Sequence, residues 1–255
     1  MNARRVRLLP ARVRRWLRVQ RRKYGLLRRP VGTVQFGNLG QVSPISSKFG
    51  FDRGLPVDRY YTEKFLSAHS SDVYGRVLEI GDDRYTHKFG GDRVTRSDVL
   101  HVVAGNPKAT ILADLTCADH IPSDLFDCII CTQTLQMIYD VRAALRHLYR
   151  VLKPGGVFLS TSHGISRIAR REGVDQWGEY WHFTSQGLRR LLQETAGAAE
   201  VHIVCYGNVL AAIASLHGLV AEDLSQRDLD YADPNYEVLI GMRVVKPQAD
   251  RKRTG

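Results

Sequence analysis

Between residues 76 and 245, short apolar runs alternate with longer amphipathic stretches, the pattern of strands joined by helices in a mostly parallel sheet. The runs predict strands at 76–80, 93–96, 110–113, 128–132, 157–161, 200–206 and 236–245. Helical spacing predicts helices at 141–151, 184–195 and 209–219, with an earlier amphipathic helix ending near His69. Asp140 and Thr184 precede two of these helices, where a short polar side chain satisfies a free backbone donor. Lys153-Pro154-Gly155-Gly156 ends the helix before it, since neither Pro nor Gly continues one.

Charge divides the chain more sharply than hydropathy does. Of the 37 Lys and Arg residues, twelve fall in residues 1–29, which hold no Asp or Glu. That leaves 25 basic against 26 acidic residues in the remainder, so the net charge of +11 belongs to an N-terminal arm. Val6, Leu9, Val13, Trp16 and Leu17 recur near helical spacing among the arginines. Such a basic amphipathic segment suits the surface of an anionic membrane. An Arg-rich, acid-free start is also the composition of an organelle transit peptide, and nucleic acid or an acidic partner is a further reading of the arm. The neutral body argues against nucleic acid as the substrate. The organisation read from these shifts is an arm at 1–29, a linker and helical extension at 30–71, a main domain at 72–248 and a tail at 249–255.

No apolar run approaches the ~20 residues that span a bilayer, and no cleavable apolar leader follows the basic start, so a cytoplasmic location is expected, membrane-peripheral if the arm docks. The four cysteines are Cys117, Cys128, Cys131 and Cys205. Cys128 and Cys131 form a C-x-x-C, but inside a strand positions three apart point to opposite faces. With no second pair at zinc spacing, buried thiols are expected and no metal site is predicted.

Val77-Leu78-Glu79-Ile80-Gly81 reads as a buried strand with an acid near its end and a glycine where backbone can approach a ligand. Asp98 follows at the predicted end of the second strand and Asp114 after the third. A nucleoside-binding α/β sheet holds its ligand at the carboxyl ends of its strands, and a carboxylate there can accept ribose hydroxyls.

With Leu152-Lys153-Pro154-Gly155-Gly156 before the fifth strand, these motifs resemble the class I S-adenosylmethionine-dependent methyltransferases over residues 72–245, near the broad group of small-molecule and sugar O-methylating enzymes. The resemblance implies an α/β Rossmann-like sheet of seven strands, mostly parallel with an antiparallel last strand. It implies that Glu79, Gly81 and Asp82 form the cofactor loop, although Asp82-Asp83-Arg84-Tyr85 lacks the usual second and third glycines. Asp98 would hold the ribose, Asp114 the adenine amino group and Leu115 the adenine ring. Gln133, in Thr132-Gln133-Thr134-Leu135, would lie beside the sulfonium. Leu135-Gln136-Met137-Ile138-Tyr139-Asp140 resembles the family's Leu-Glu-His-Val-x-Asp turn, with Gln136 and Met137 in place of its acid and histidine.

Substrate would then meet the aromatic segment 175–183, which carries Trp177, Tyr180, Trp181 and Phe183. An alcohol acceptor needs a group to take its proton, and the candidates are His182, His163 and Glu179. The reaction expected is O-methylation of a hydroxylated small molecule or a glycan. Two rivals stand beside it. One is a non-catalytic binding module that has lost its cofactor loop. The other is an RNA methyltransferase guided by its arm, which the neutral body and the absence of an Asn-Pro-Pro-aromatic motif oppose. A dehydrogenase is opposed by the absence of G-x-G-x-x-G.

Overall fold

The computed structural model describes residues 34–169, 178–197 and 199–248, with isolated positions before residue 34. Of the predicted amphipathic helix of the basic arm, Arg12, Val13, Trp16, Leu17 and Gln20 are described, as helix; Val6, Leu9, Trp177 and the 249–255 tail lie outside the described residues. Contacts divide the chain into residues 1–43 and 44–255. In the first unit a short turn of 3-10 helix occupies Gly37–Leu39. The second unit holds the sheet.

Its elements run α1 (Val57–Ala68), β1 (Gly75–Ile80), β2 (Val94–His101), β3 (Ile111–Leu112), β4 (Phe126–Thr132), α2 (Val141–Val151), β5 (Leu152–His163), α3 (Ser185–Ala196), β6 (Glu200–Tyr206), α4 (Val209–His217), α5 (Gln226–Asp230) and β7 (Leu239–Val245). The strands form one sheet in the order β3-β2-β1-β4-β5-β7-β6. β1 to β5 are parallel, and β7 enters antiparallel between β5 and β6. This is the expected seven-stranded α/β sheet with its antiparallel last strand.

The helix caps form as the sequence predicts. Asp140 accepts from Ala143 N at 2.9 Å, and Thr184 Oγ1 accepts from Gly187 N at 3.1 Å. Two strands run well past their predicted bounds. β2 continues through Val99 and Leu100 to His101, because Arg76 and Arg96 pair with the Asp98 carboxylate inside the strand. β5 absorbs the Lys-Pro-Gly-Gly turn through a register shift and runs on to His163, opposite Leu239 of β7.

Both faces of the sheet are covered, as a parallel sheet requires. On one face, Leu145 and Leu148 of α2 and Leu188 and Leu192 of α3 pack with Ile129, Cys131, Phe158 and Met242. On the other, Phe65 and Leu66 of α1 pack with Val77, Cys128, Ile130 and Leu159. Gly241 of β7 permits that contact, since a Cβ there would lie 2.5 Å from the Phe65 ring. Residues 57–68, which the sequence places in an extension, are thus packed onto the sheet. Cys128 and Cys131 are buried on opposite faces, and burial pushes both thiols far above their ordinary pKa, Cys131 to about 12.

Candidate active site

The carboxyl ends of β1, β2, β3, β4 and β5 share one edge of the sheet, and the candidate residues are judged by their place on it. Glu79 is buried in the last turn of β1 and reaches past the strand end. Its carboxylate accepts from Tyr85 N at 3.2 Å, Thr86 N at 2.7 Å and Thr86 Oγ1 at 2.8 Å. Burial pushes its carboxyl above the usual range, against the pull of those donors. Glu79 therefore fixes the path of the loop after Gly81. Gly81 turns the chain at φ +86°, and the space a Cβ would occupy is open. That is a backbone cradle at the strand end.

The loop between β2 and β3 crosses this turn. Asn106 Nδ2 donates to Gly81 O at 2.8 Å, and Lys108 Nζ lies 2.8 Å from Asp82 Oδ1 and 2.6 Å from Asp83 Oδ1. Lys108's hydrogen bond holds the Asp82 carboxyl well below its usual range. Asp82 thus has an ionic partner within the chain, a use its spacing did not reveal.

Asp98 requires a correction. It stands in the middle of β2, opposite Leu78, and is only 1% exposed. Arg76 Nε donates to it at 2.7 Å, Arg96 Nη2 at 3.3 Å and Thr110 Oγ1 at 3.0 Å. Burial alone would raise its pKa, but the hydrogen bonds from Arg76 and Thr110 and the two guanidinium charges outweigh burial and lower it. A carboxylate so enclosed is a structural anchor and does not line the edge. The residue that ends β2 is His101, whose Nδ1 lies 2.8 Å from Val103 O. The apolar pair Val99-Leu100 was the sequence signal for that longer strand.

Asp114 does lie beyond the end of β3, exposed, with its carboxylate accepting from Thr116 N and Thr116 Oγ1, both at 2.8 Å. The Leu115 side chain packs into the main core. Gln133 follows β4 directly, at φ +50°, and its Nε2 is buried without a partner.

His163, Glu179 and His182 are brought together. His163 Nε2 is 2.5 Å from Glu179 Oε1, and His182 Nε2 is 3.4 Å from the same oxygen. The two imidazoles meet edge to face, with centroids 4.8 Å apart. Burial holds the His163 imidazole below its ordinary pKa despite the Glu179 charge. The segment carrying Glu179 and His182 is strapped to the turn after β4: Tyr180 N and Trp181 N donate to Gln136 O at 2.8 Å and 3.3 Å, and Phe183 N donates to His163 O at 3.3 Å. Gln136, unremarked as a functional residue in the sequence, links the two halves of the edge. Its Nε2 donates to Gln133 Oε1 at 2.9 Å and lies 3.5 Å from His163 Nδ1. Tyr139, Tyr180 and Trp181 form an exposed aromatic wall beside the strap, with the Tyr139 and Trp181 rings stacked at 6.1 Å. A cavity of about 380 Å³ is lined by Gly164 and Phe183, which follow the two histidines in the chain, with Ser185, Asn235 and Glu237 among others.

A family model described as a methyltransferase domain matches residues 51–198, which span the cradle, the strap and most of the sheet. The chain belongs to the class I S-adenosylmethionine-dependent methyltransferases. No curated protein matches this methyltransferase. Among solved structures, phosphoethanolamine N-methyltransferase 2 of Haemonchus contortus, in complex with S-adenosyl-L-methionine, is similar in fold at 15% identity and TM-score 0.51. That match covers 73% of this chain and 53% of the nematode chain. The N-methyltransferase NodS of Bradyrhizobium japonicum, in complex with S-adenosyl-L-homocysteine, is 18% identical over 80% of this chain and 95% of its own, with TM-score 0.49.

The family's cofactor, S-adenosylmethionine, meets a donor set that fits it. The open cradle at Gly81, the exposed carboxylate of Asp114 and the Gln133 amide, one end of which is buried without a partner, all stand at the carboxyl edge, and Glu79 holds the loop after Gly81. Asp98 is spent inside the sheet, which leaves His101 as the β2 residue on that edge. Among the described residues, no helix of the methyltransferase is long and apolar enough to cross a membrane.

Proposed function

We propose that this methyltransferase transfers the methyl group of S-adenosylmethionine to a hydroxyl oxygen of a small molecule or glycan. The observation that carries the reading is the convergence of His163 and His182 on Glu179 beside Gln136 and Gln133. Methyl transfer is a displacement at carbon, in which alignment of nucleophile and methyl is worth ~7–11 kcal/mol of the barrier. An alcohol must also lose its proton, and groups placed to assist contribute roughly 10²–10⁴-fold. The cluster supplies those groups, and the acceptor meets it from the adjoining cavity. The wall of Tyr139, Tyr180 and Trp181 offers flat apolar faces of the kind on which a sugar or aromatic ring stacks. Gly81, Asp114 and Gln133 line the donor's side of the reaction, and Glu79 and Asp82 hold its loop.

The basic arm supports a cytoplasmic enzyme working at an anionic membrane surface on a membrane-proximal acceptor. Two measurements test the function. Calorimetry with S-adenosylhomocysteine is expected to give one site. Incubation with labelled S-adenosylmethionine and fractionated cell glycans, lipids and RNA is expected to label a hydroxyl of a glycan or small molecule. Label found on an amine or in RNA, or no binding of the homocysteine product, would reject the reading.

A further inference from the structure

The three clustered side chains are arranged differently from an acid–base relay. In a relay each group passes its proton to the next, so the middle group uses separate atoms for its two neighbours. Here both imidazoles turn their Nε2 atoms to one carboxylate oxygen, Glu179 Oε1, and all three donor atoms lie within 4.8 Å of one another. The Glu179 side chain is 1% exposed and that of His163 9%. Two bare lone pairs cannot approach to 2.5 Å, so a proton or a cation bridges His163 Nε2 and Glu179 Oε1. Buried polar atoms in a folded protein are almost always paired. A proton on that line serves two of the three atoms, whereas a cation can serve His182 Nε2 with them.

The outer contacts fit that conclusion. The far oxygen of Glu179, Oε2, accepts from Ala169 N at 2.5 Å, which fixes the carboxylate and aims Oε1 at the histidines. The far nitrogen of His163, Nδ1, faces the Gln136 amide, itself held by Gln133. Turning both amides over exchanges donor and acceptor across the 2.9 Å contact. It then lets Gln136 Oε1 accept from Nδ1–H and leaves the Nε2 lone pair on the Glu179 side. The unpaired atoms are then Gln133 Oε1 and Gln136 Nε2 in place of Gln133 Nε2 and Gln136 Oε1, so the count of unpaired atoms is the same in both orientations. Metal-bound imidazoles and carboxylates are oriented by such contacts on their non-ligating atoms. The His182 side chain, 38% exposed, leaves the cluster open to solvent at that residue.

We propose that His163 Nε2, Glu179 Oε1 and His182 Nε2 bind a divalent transition-metal cation of the zinc type, with an open position for the acceptor's hydroxyl oxygen. This rests on the reading above that the acceptor meets the cluster. Two imidazoles and one carboxylate with a free position make a catalytic zinc donor set, whereas Mg²⁺ and Ca²⁺ favour sets made of oxygen. The cation would acidify the hydroxyl as it acidifies bound water, from a pKa of ~15.7 to ~7 in favourable sites. The hydroxyl proton passes to solvent water. An oxygen lone pair forms the new O–CH₃ bond as the S–CH₃ bond breaks, and the departing pair stays on sulfur. The products are the methylated acceptor and S-adenosylhomocysteine.

The test uses the full chain, stripped with a chelator and titrated with Zn²⁺ by calorimetry and with Co²⁺ by visible absorption, beside a titration with S-adenosylhomocysteine. One equivalent of metal is expected. Glu179→Gln and His182→Gln should each weaken binding by at least about tenfold and change the Co²⁺ spectrum, while S-adenosylhomocysteine binding stays. His182→Gln is the safer variant for folding, since its side chain is partly exposed. No metal uptake by protein that binds S-adenosylhomocysteine overturns the metal site and spares the methyltransferase reading. Metal uptake unchanged in both variants also overturns it. Protein that fails to bind S-adenosylhomocysteine overturns the reading on which the proposal rests.

Discussion

Glu179 Oε1 lies 2.5 Å from His163 Nε2, tying the segment before α3 to the last residue of β5. Glu179→Gln keeps the shape of the side chain and removes its charge. The expected outcome is a loss of about 10²–10⁴-fold in methyl transfer to the acceptor. Affinity for S-adenosylhomocysteine, measured by calorimetry, should change little. Equal losses in both would move Glu179 into the donor site.

Asp98 is expected to matter for stability and not for nucleoside binding. Asp98→Asn removes the charge that Arg76 and Arg96 face, at a cost of roughly 2 kcal/mol in urea denaturation near neutral pH. Because its folded pKa is depressed, the stabilisation is complete above the unfolded value of ~3.9 and is lost as pH falls through the folded value. The gap between wild type and Asp98→Asn should therefore close as the pH is lowered below about 4. A variant of full stability that cannot bind S-adenosylhomocysteine would restore Asp98 as a ribose ligand.

Gly81 tests the cradle. Gly81→Ala meets no neighbouring atom but forces a side chain onto a backbone at φ +86°, which costs about 1–2 kcal/mol. If the donor fills the open space there, S-adenosylhomocysteine binding should fall by more than about tenfold, the equivalent of ~1.4 kcal/mol. Binding that survives the substitution would show that the donor lies elsewhere.

The arm makes a separate prediction. Removing residues 1–29 takes away twelve basic side chains and should abolish co-sedimentation with anionic vesicles while leaving S-adenosylhomocysteine binding intact. Sedimentation unaffected by the deletion rejects the membrane role.

What could be read from the sequence was mostly local. Asp140 and Thr184 announce their helices because a cap and its helix are neighbours in the chain. The run Ile129-Ile130 announces β4 because a strand covered on both faces must be apolar throughout. The sequence pattern cuts β2 short, because Arg96, Ser97 and Asp98 look like a strand's end until Arg76 pairs with the carboxylate and Thr110 donates to it, both from outside β2. The same misplacement made Asp98 a ribose ligand. Residue type and a place in the segment after the fifth strand single out His163, Glu179 and His182. Their convergence depends on Gln136 O receiving the Tyr180 and Trp181 amides, a contact between distant parts of the chain that no spacing encodes.

Deep burial of Cys128 and Cys131, with Cys205 half-buried, leaves Cys117 as the exposed thiol of the chain. Burial raises the pKa of Cys205 as well, to about 11, so alkylating reagents should react first at Cys117. That position follows closely on Asp114. With the nucleoside placed at Asp114 as proposed, a fluorophore attached there, without any engineered cysteine, should change its emission on addition of S-adenosylhomocysteine, and the native sequence would then carry its own optical sensor for the donor.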